Sequence, residues 1–222
     1  MTNTIKYGVI GTGVMGQEHI QNINIIENAK VVAICDTNEN SRNQTKSLVK
    51  DSTKFYNDLD ELISKNIADA YIIATPNFTH INILERILKT NKHLLIEKPL
   101  CTTTEDCKKF ELLAKDYSKI IWTGMEYRYM PPVKQLIKEV HNNIIGKIKM
   151  LSIREHRFPF LHKVDDWNRF SVNTGGTLVE KCCHFFDLMR LVIQSEPAKV
   201  YASGNQDVNH LEEKYGGKTP DI

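Results

Sequence analysis

Two groups of residues in this sequence have the types and spacing needed to move a proton. Lys98 stands in Glu97-Lys98-Pro99, where a short apolar run ends and proline bends the chain away. An ammonium held there beside a positive ring can polarise or deprotonate a hydroxyl, because burial and the neighbouring charge lower its proton affinity. As a plain surface side chain it would only pair with Glu97. Glu180, His184 and Asp187 are spaced i, i+4 and i+7, one face of a helix expected over residues 177–194. An imidazole flanked by carboxylates can accept or shuttle a proton near neutral pH, with an acid fixing its tautomer. The same spacing also serves a helix-face salt network or a satisfied core histidine. A zinc site is disfavoured, since E-x-x-x-H comes with no thiolate or histidine pair at ligand spacing, and no metal is expected.

The N-terminus offers the partner for such chemistry. Residues 5–10 read as a buried parallel strand, Gly11-Thr12-Gly13-Val14-Met15-Gly16 as a G-x-G-x-x-G turn, and the residues after it as a helix. Gly11 allows the tight turn, Gly13 lets a pyrophosphate approach the backbone, and Gly16 lets the helix lie close to the sheet. The helix N-terminus adds free N–H groups and partial positive charge. About 20 residues further on, Asp36 ends a second apolar strand, the spacing at which a carboxylate meets the adenosine ribose hydroxyls. Asp36 could instead cap the following helix. A carboxylate there repels a 2′-phosphate, and Thr37-Asn38-Glu39 supplies no cation, although Arg42 follows; NAD is expected rather than NADP.

These groups need a frame, and the hydrophobic pattern supplies one. Short apolar runs at residues 55–56, 69–74, 93–96 and 120–123 alternate with amphipathic helices over 41–50, from Asp58 through Leu59, Leu62 and Ile63, around Ile81–Leu88, and over 104–117. Repeated β-α-β units predict an α/β fold, a Rossmann-type doubly wound parallel sheet with helices on both faces. Ligands bind such sheets at the strands' carboxyl ends, where the glycine turn, Thr75-Pro76-Asn77 and Glu97-Lys98-Pro99 all fall. After Thr123 the pattern changes: a helix over 131–141, alternating strand-like segments at 147–156 and 199–203, and an irregular aromatic stretch over 158–171. Arg128 could hold a carboxylate or hydroxyl, or tie two domains together. Trp167, with His156, Arg157, His162, Asp166, Asn168 and Arg169, makes a mixture suited to a sugar or polyol, or simply a domain-crossing loop.

The chain has 222 residues, 41% hydrophobic and 25% charged, with a formal net charge of +2. That charge supplies no basic field for nucleic acid or an anionic membrane. No apolar run approaches the ~20 residues of a membrane span, and the N-terminus has no signal-peptide layout. The five cysteines (35, 101, 107, 182 and 183) form no C-x-x-C pair and read as reduced thiols of a cytoplasmic protein.

The ordered motifs resemble the Gfo/Idh/MocA oxidoreductases (glucose–fructose oxidoreductase, inositol dehydrogenase and relatives). They are GVIGTGVMG, Asp36, Ala74-Thr75-Pro76-Asn77 with His80, Glu97-Lys98-Pro99-Leu100, and Gly175-Gly176-Thr177-Leu178 followed by Glu180, His184 and Asp187. The last is similar to that family's G-G-x-x-x-D-x-x-x-H-x-x-D segment, with Glu180 in place of the usual Asp. The resemblance implies an NAD(P)-binding Rossmann domain over residues 1–123. Over 124–222 it implies a partial α+β substrate and oligomerisation domain, mainly antiparallel sheet. It implies a dehydrogenase oxidising a secondary hydroxyl of a sugar, inositol or related polyol. By it, the cofactor meets Gly11, Thr12, Gly13, Val14, Met15, Gly16, Asp36, Thr75, Pro76, Asn77, His80, Glu97 and Lys98. Glu97 takes the nicotinamide-side ribose, Lys98 touches that ribose and the substrate hydroxyl, and His184 is the acid/base with Glu180 beside it. Arg128 and Trp167 complete the substrate set. Members of the family continue past residue 222, so the second domain is expected to be incomplete and this form poorly soluble or obligately associated, the full-length protein being a homo-oligomer. The alternative is a catalytically inactive dinucleotide-binding remnant or sensor.

Overall fold

The computed structural model describes residues 4–156, 162–206 and 210–222. The chain divides into two compact units, Met1–Gly124 with Lys163–Asp165, and Met125–His162 with Asp166–Ile222.

The first unit is built on six strands, β1 Ile5–Ile10, β2 Ala29–Cys35, β3 Lys54–Tyr56, β4 Ala70–Ile73, β5 His93–Ile96 and β6 Ile121–Thr123. They form one sheet in the order β3-β2-β1-β4-β5-β6, with every neighbouring pair parallel. Five helices connect them, α1 Val14–Asn24, α2 Glu39–Thr45, α3 Leu59–Lys65, α4 His80–Ile87 and α5 Thr104–Ala114. The strand order reverses beside β1, which makes its carboxyl end the switch point of a doubly wound sheet.

Alternate residues of the strands feed cores on opposite faces. Val9 and Ile72 pack with Ile20 and Ile23 of α1, whereas Ile10, Tyr71 and Ile73 pack with Leu62, Leu84 and Phe110 of α3, α4 and α5. The period of two in the strands and of 3–4 in the helices are thus both satisfied. Polar caps stop the helices from running back into the strands. Asp58 accepts from the Glu61 N–H, Thr103 from the Asp106 N–H, and Asn38, not Asp36, caps α2 through the Ser41 N–H. The helix expected over 41–50 ends at Thr45 and tightens into a 3₁₀ turn, Lys46–Leu48.

Register decides where the loops begin. Ile10 is aligned with Cys35 and Ile73, Ile73 with Ile96, and Ile96 with Thr123. The next residues are tied strand to strand by Gly11 N–H to Cys35 O, Ala74 N–H to Ile10 O, Glu97 N–H to Ile73 O, and Gly124 N–H to Ile96 O. The glycine turn, Asp36, Thr75-Pro76-Asn77 and Glu97-Lys98 therefore lie along one edge of the sheet.

The second unit contains α6 Pro131–His141, α7 Ser171–Thr174, α8 Thr177–Glu180 and α9 Cys183–Ile193. Two expectations are corrected here. Residues 147–156 and 199–203 form no strand; among the described residues the unit's β pairing is a single antiparallel bridge, Tyr215 to Lys218. Alternating polarity tells how a segment behaves once paired, but a ladder also requires a neighbour to take its N–H and C=O groups. The helix expected over 177–194 is two helices, broken at Lys181 and Cys182. Of the aromatic stretch, residues 157–161, Arg157 among them, lie outside the described residues.

Candidate functional site: a glycine cradle and two sets of proton-handling side chains

The three glycines of the first turn differ in what surrounds them. Gly11 has φ +85°, and a Cβ there would sit 2.6 Å from the Ala74 carbonyl, so only glycine fits against β4. A Cβ on Gly16 would lie 2.0 Å from Gly11 O. At Gly13 the same atom would meet nothing within 4 Å. The first two glycines close the turn, and the third leaves a concavity open. Gly13 also begins α1 with no side-chain cap, which leaves the first N–H groups of that helix to an anion. A dinucleotide's diphosphate fits this cradle. Val14 is exposed and Met15 half-buried at its rim.

Asp36 closes the adenosine end. Its Oδ2 accepts from the Thr12 N–H at 2.7 Å and the Thr12 hydroxyl at 3.0 Å, and its Oδ1 from the Asn38 N–H at 2.8 Å. Oδ2 thus has both acceptor sites taken, whereas Oδ1 retains one for a ribose hydroxyl. Thr12 itself is completely buried, so its part is to hold Asp36 rather than to face a ligand. Arg42 donates through Nη1 to the Asp36 carbonyl oxygen, which engages the guanidinium nearest the carboxylate.

Along the same edge, Glu97 is buried, with its Oε1 2.6 Å from His19 Nε2 and its Oε2 accepting the Lys98 N–H at 3.2 Å. Lys98 is half-buried and joined to Pro99 by a cis peptide. His80 was expected among the cofactor contacts, and the structure corrects this. Its ring is 0% exposed, with Nδ1 3.0 Å from Pro99 O and Nε2 3.1 Å from Thr75 O. It therefore braces the two loops from behind. Burial holds this imidazole below its ordinary proton affinity, against the opposing pull of the Thr75, Pro99 and Leu100 carbonyls and the Glu97 charge. Thr75 accepts from the Thr79 hydroxyl at 2.7 Å, and Asn77 is buried.

In the second unit the helix expected to carry Glu180, His184 and Asp187 is two helices: Glu180 ends α8, and His184 and Asp187 lie one turn apart on α9. His184 is 3% exposed and stacks on Tyr127, ring centroids 4.1 Å apart and 5° from parallel. Its Nε2 lies 3.3 Å from Glu126 Oε1. Glu180 is buried and pairs with Lys181 Nζ at 3.2 Å. Asp187 takes a two-pronged bond from Arg128, Nε to Oδ2 at 2.6 Å and Nη2 to Oδ1. Arg128 thus holds a carboxylate of its own unit, and that bond raises the guanidinium's proton affinity further. Trp167 lies half-buried in a 3₁₀ turn, Val164–Arg169, and its carbonyl accepts from Asn173 Nδ2 at 2.9 Å. Among the described residues no three His, Cys, Asp or Glu side chains gather where they could hold a metal ion. Burial pushes the Cys35 and Cys101 thiols up to about 12, so neither is a nucleophile.

Sequence reasoning missed the contact of His19 with Glu97 and those of Glu126 and Tyr127 with His184. His19 carries a signal: it follows Gly16 by one helical turn, on the side of α1 that meets the sheet. Glu126 and Tyr127 carry none, because their partner is distant in sequence.

Comparison with known proteins agrees with this geometry. The N-terminal model of the Gfo/Idh/MocA family, described as an oxidoreductase family with an NAD-binding Rossmann fold, matches residues 5–125. The model of the family's C-terminal alpha/beta domain matches residues 137–220. Myo-inositol 2-dehydrogenase of Thermotoga maritima is 31% identical over 203 residues, covering 90% of this chain and 58% of the relative. Glucose-6-phosphate 3-dehydrogenase of Bacillus subtilis is 31% identical over 220 residues, 94% of this chain and 60% of the relative. The crystal structure of a probable dehydrogenase from Thermotoga maritima superposes with a TM-score of 0.73 at 30% identity, over 86% of this chain and 56% of that one. The chain thus spans somewhat under two thirds of the length of these relatives, and no helix among its described residues is long and apolar enough to cross a membrane. On the family-model matches to both parts of the sequence, the chain belongs to the Gfo/Idh/MocA oxidoreductase family.

Proposed function

We propose that this protein is an NAD-dependent dehydrogenase that oxidises a secondary hydroxyl of a sugar, inositol or related polyol. The observation that carries the reading is the register-aligned strand edge, with an open cradle at Gly13, Asp36 at the ribose position and Glu97-Lys98 further along. A bound nicotinamide ring would supply the hydride acceptor. The protein's own residues do the rest. The α1 N-terminus holds the diphosphate, Asp36 bonds the adenosine ribose, and Glu97 bonds the nicotinamide-side ribose. The Lys98 ammonium contacts the substrate hydroxyl and lowers its proton affinity, and His184 accepts the hydroxyl proton. Arg128, Trp167 and Glu180 belong to the substrate set. An Asp36 carboxylate disfavours a 2′-phosphate, which supports NAD over NADP.

The class of substrate is drawn from relatives, and two of them act on different compounds at the same 31% identity, so the individual polyol is left to experiment. Titrating NADH by its fluorescence and then screening inositols, sugars and sugar phosphates for NADH formation tests the reading. Lys98→Ala should cut turnover far more than NADH affinity. Tight NADH binding with no turnover on any polyol would favour a dinucleotide-binding module without catalysis, and equal losses of turnover and affinity would displace Lys98 from its assigned role.

A further inference from the structure

We infer that the buried His80 ring carries its one proton on Nδ1 and so holds the chain directly behind Lys98, which makes it a positioning residue for that lysine. The inference rests on the reading of Lys98 as the group that meets the substrate hydroxyl.

Two features of its place keep the ring neutral. It is 0% exposed, and it is the first residue of α4, where the partial positive charge of a helix N-terminus opposes a second proton. The Glu97 charge pulls the other way, but that carboxylate is shared with His19 at 2.6 Å. A neutral imidazole has one N–H and one bare nitrogen. Three carbonyl oxygens nevertheless face the two nitrogens: Pro99 O at 3.0 Å and Leu100 O at 3.3 Å from Nδ1, and Thr75 O at 3.1 Å from Nε2. The ring cannot bond both loops at once. With the proton on Nδ1, a forked N–H serves two acceptors, and lone pairs oppose each other only at Thr75. With the proton on Nε2, one acceptor is served and two are opposed. The first arrangement is favoured in both respects.

The two loops are then held differently. Behind Lys98, the Pro99 and Leu100 carbonyls are bonded to the base of α4; before it, Glu97 Oε2 accepts the Lys98 N–H at 3.2 Å. The backbone is thus fixed on both sides of the lysine. Towards Thr75 the bare Nε2 is a spacer, setting how closely that loop approaches without bonding it. His80 acts through Lys98 and touches neither substrate nor cofactor.

An asparagine amide donates from about the place of Nδ1 and a glutamine amide from about the place of Nε2, so two substitutions separate the two nitrogens. Turnover is followed on whichever inositol, sugar or sugar phosphate gives the fastest NADH formation. His80→Asn should retain kcat to within about threefold and weaken NADH binding by about the same factor, because Thr75 loses its spacer. His80→Gln should do the reverse, lowering kcat about tenfold or more with NADH affinity nearly unchanged, because the Pro99 and Leu100 carbonyls lose their donor. The tautomer is read directly at neutral pH from the ring 15N resonances of the whole 222-residue chain, in which a protonated and a bare nitrogen are well separated. The His80 signals are those lost in both variants, and the slow solvent exchange of a completely buried N–H identifies them should neither variant fold. A proton on Nε2, or on both nitrogens, overturns the inference whatever the kinetics. Equal effects of the two variants on kcat, with the proton on Nδ1, would refute the part His80 has in placing Lys98. A parent chain that turns over no polyol would refute the dehydrogenase reading and the link to Lys98 with it, while the Nδ1 proton is judged by the 15N spectrum alone.

Discussion

His19 Nε2 lies 2.6 Å from Glu97 Oε1, joining the helix that starts at the glycine turn to the strand end that carries Lys98. The two side chains are 19% and 10% exposed, so water is a poor substitute for either partner. Because the second Glu97 oxygen accepts the Lys98 N–H, the imidazole on α1 indirectly sets the backbone that presents the lysine.

Removing that imidazole should be felt in cofactor binding. His19→Ala leaves a buried carboxylate short of a donor, a loss of about 1–3 kcal/mol, or roughly ten- to a hundredfold in NADH affinity if Glu97 can no longer hold its place. His19→Gln keeps an N–H and should recover part of the loss. Fluorescence titration of NADH against the three proteins checks this; identical affinities would mean that Glu97 keeps its position unaided.

The glycine turn separates folding from binding. Gly16→Ala drives a methyl to 2.0 Å from Gly11 O, and Gly11→Ala adds a positive φ to a 2.6 Å clash with Ala74, so both should lower stability by several kcal/mol. Gly13→Ala meets no protein atom within 4 Å and should melt within a few degrees of the parent. Its methyl instead occupies the space of the diphosphate, and NADH affinity should fall at least about tenfold. Thermal melts paired with NADH titration distinguish the cases; a Gly13→Ala protein that binds normally would place the diphosphate elsewhere.

How much of this was legible depends on the range of the interaction. The glycine turn, Asp36, and the strand at 93–96 follow from local chemistry, and the structure places them where the spacing says. His80 was legible as important but not as buried, since its two carbonyl partners come from separate loops. The single helix expected over 177–194 failed for a subtler reason. A 3.6-residue pattern runs on unchanged through a break of one or two residues, so it does not reveal that α8 stops at Glu180 and α9 starts at Cys183. Residues 147–156 alternate as a strand should, but pairing is a tertiary property that alternation alone does not supply.

Asp36 should decide between the two nicotinamide cofactors. Asp36→Ala removes the ribose acceptor and also frees the Thr12 and Asn38 N–H groups that it now holds. NADH affinity should fall about tenfold or more, while NADPH gains from the lost repulsion, so the ratio of the two affinities should move by at least about tenfold towards NADPH. Parallel titrations with both cofactors measure it; an unchanged ratio would remove Asp36 from the adenosine end.

The buried His80 ring should make stability depend on pH in a window where carboxylates do not titrate. Burial lowers its proton affinity in the folded state, while an unfolded chain returns it to about 6.5. Below that value the unfolded state binds the proton more readily, so stability is full above about pH 6.5 and falls as the solution is acidified towards the folded-state value. The slope from this one group cannot exceed about 1.4 kcal/mol per pH unit. His80→Asn retains a donor for a loop carbonyl but does not titrate; it should be less stable at pH 7.5, because one of the two loops loses its brace, and its melting temperature should change less between pH 7 and pH 5.5. Denaturant melts at half-unit pH steps provide the comparison. If the slope in the parent protein survives unchanged in His80→Asn, the acid sensitivity belongs to another histidine, and the ring that braces Thr75 and Pro99 does not resist its own protonation.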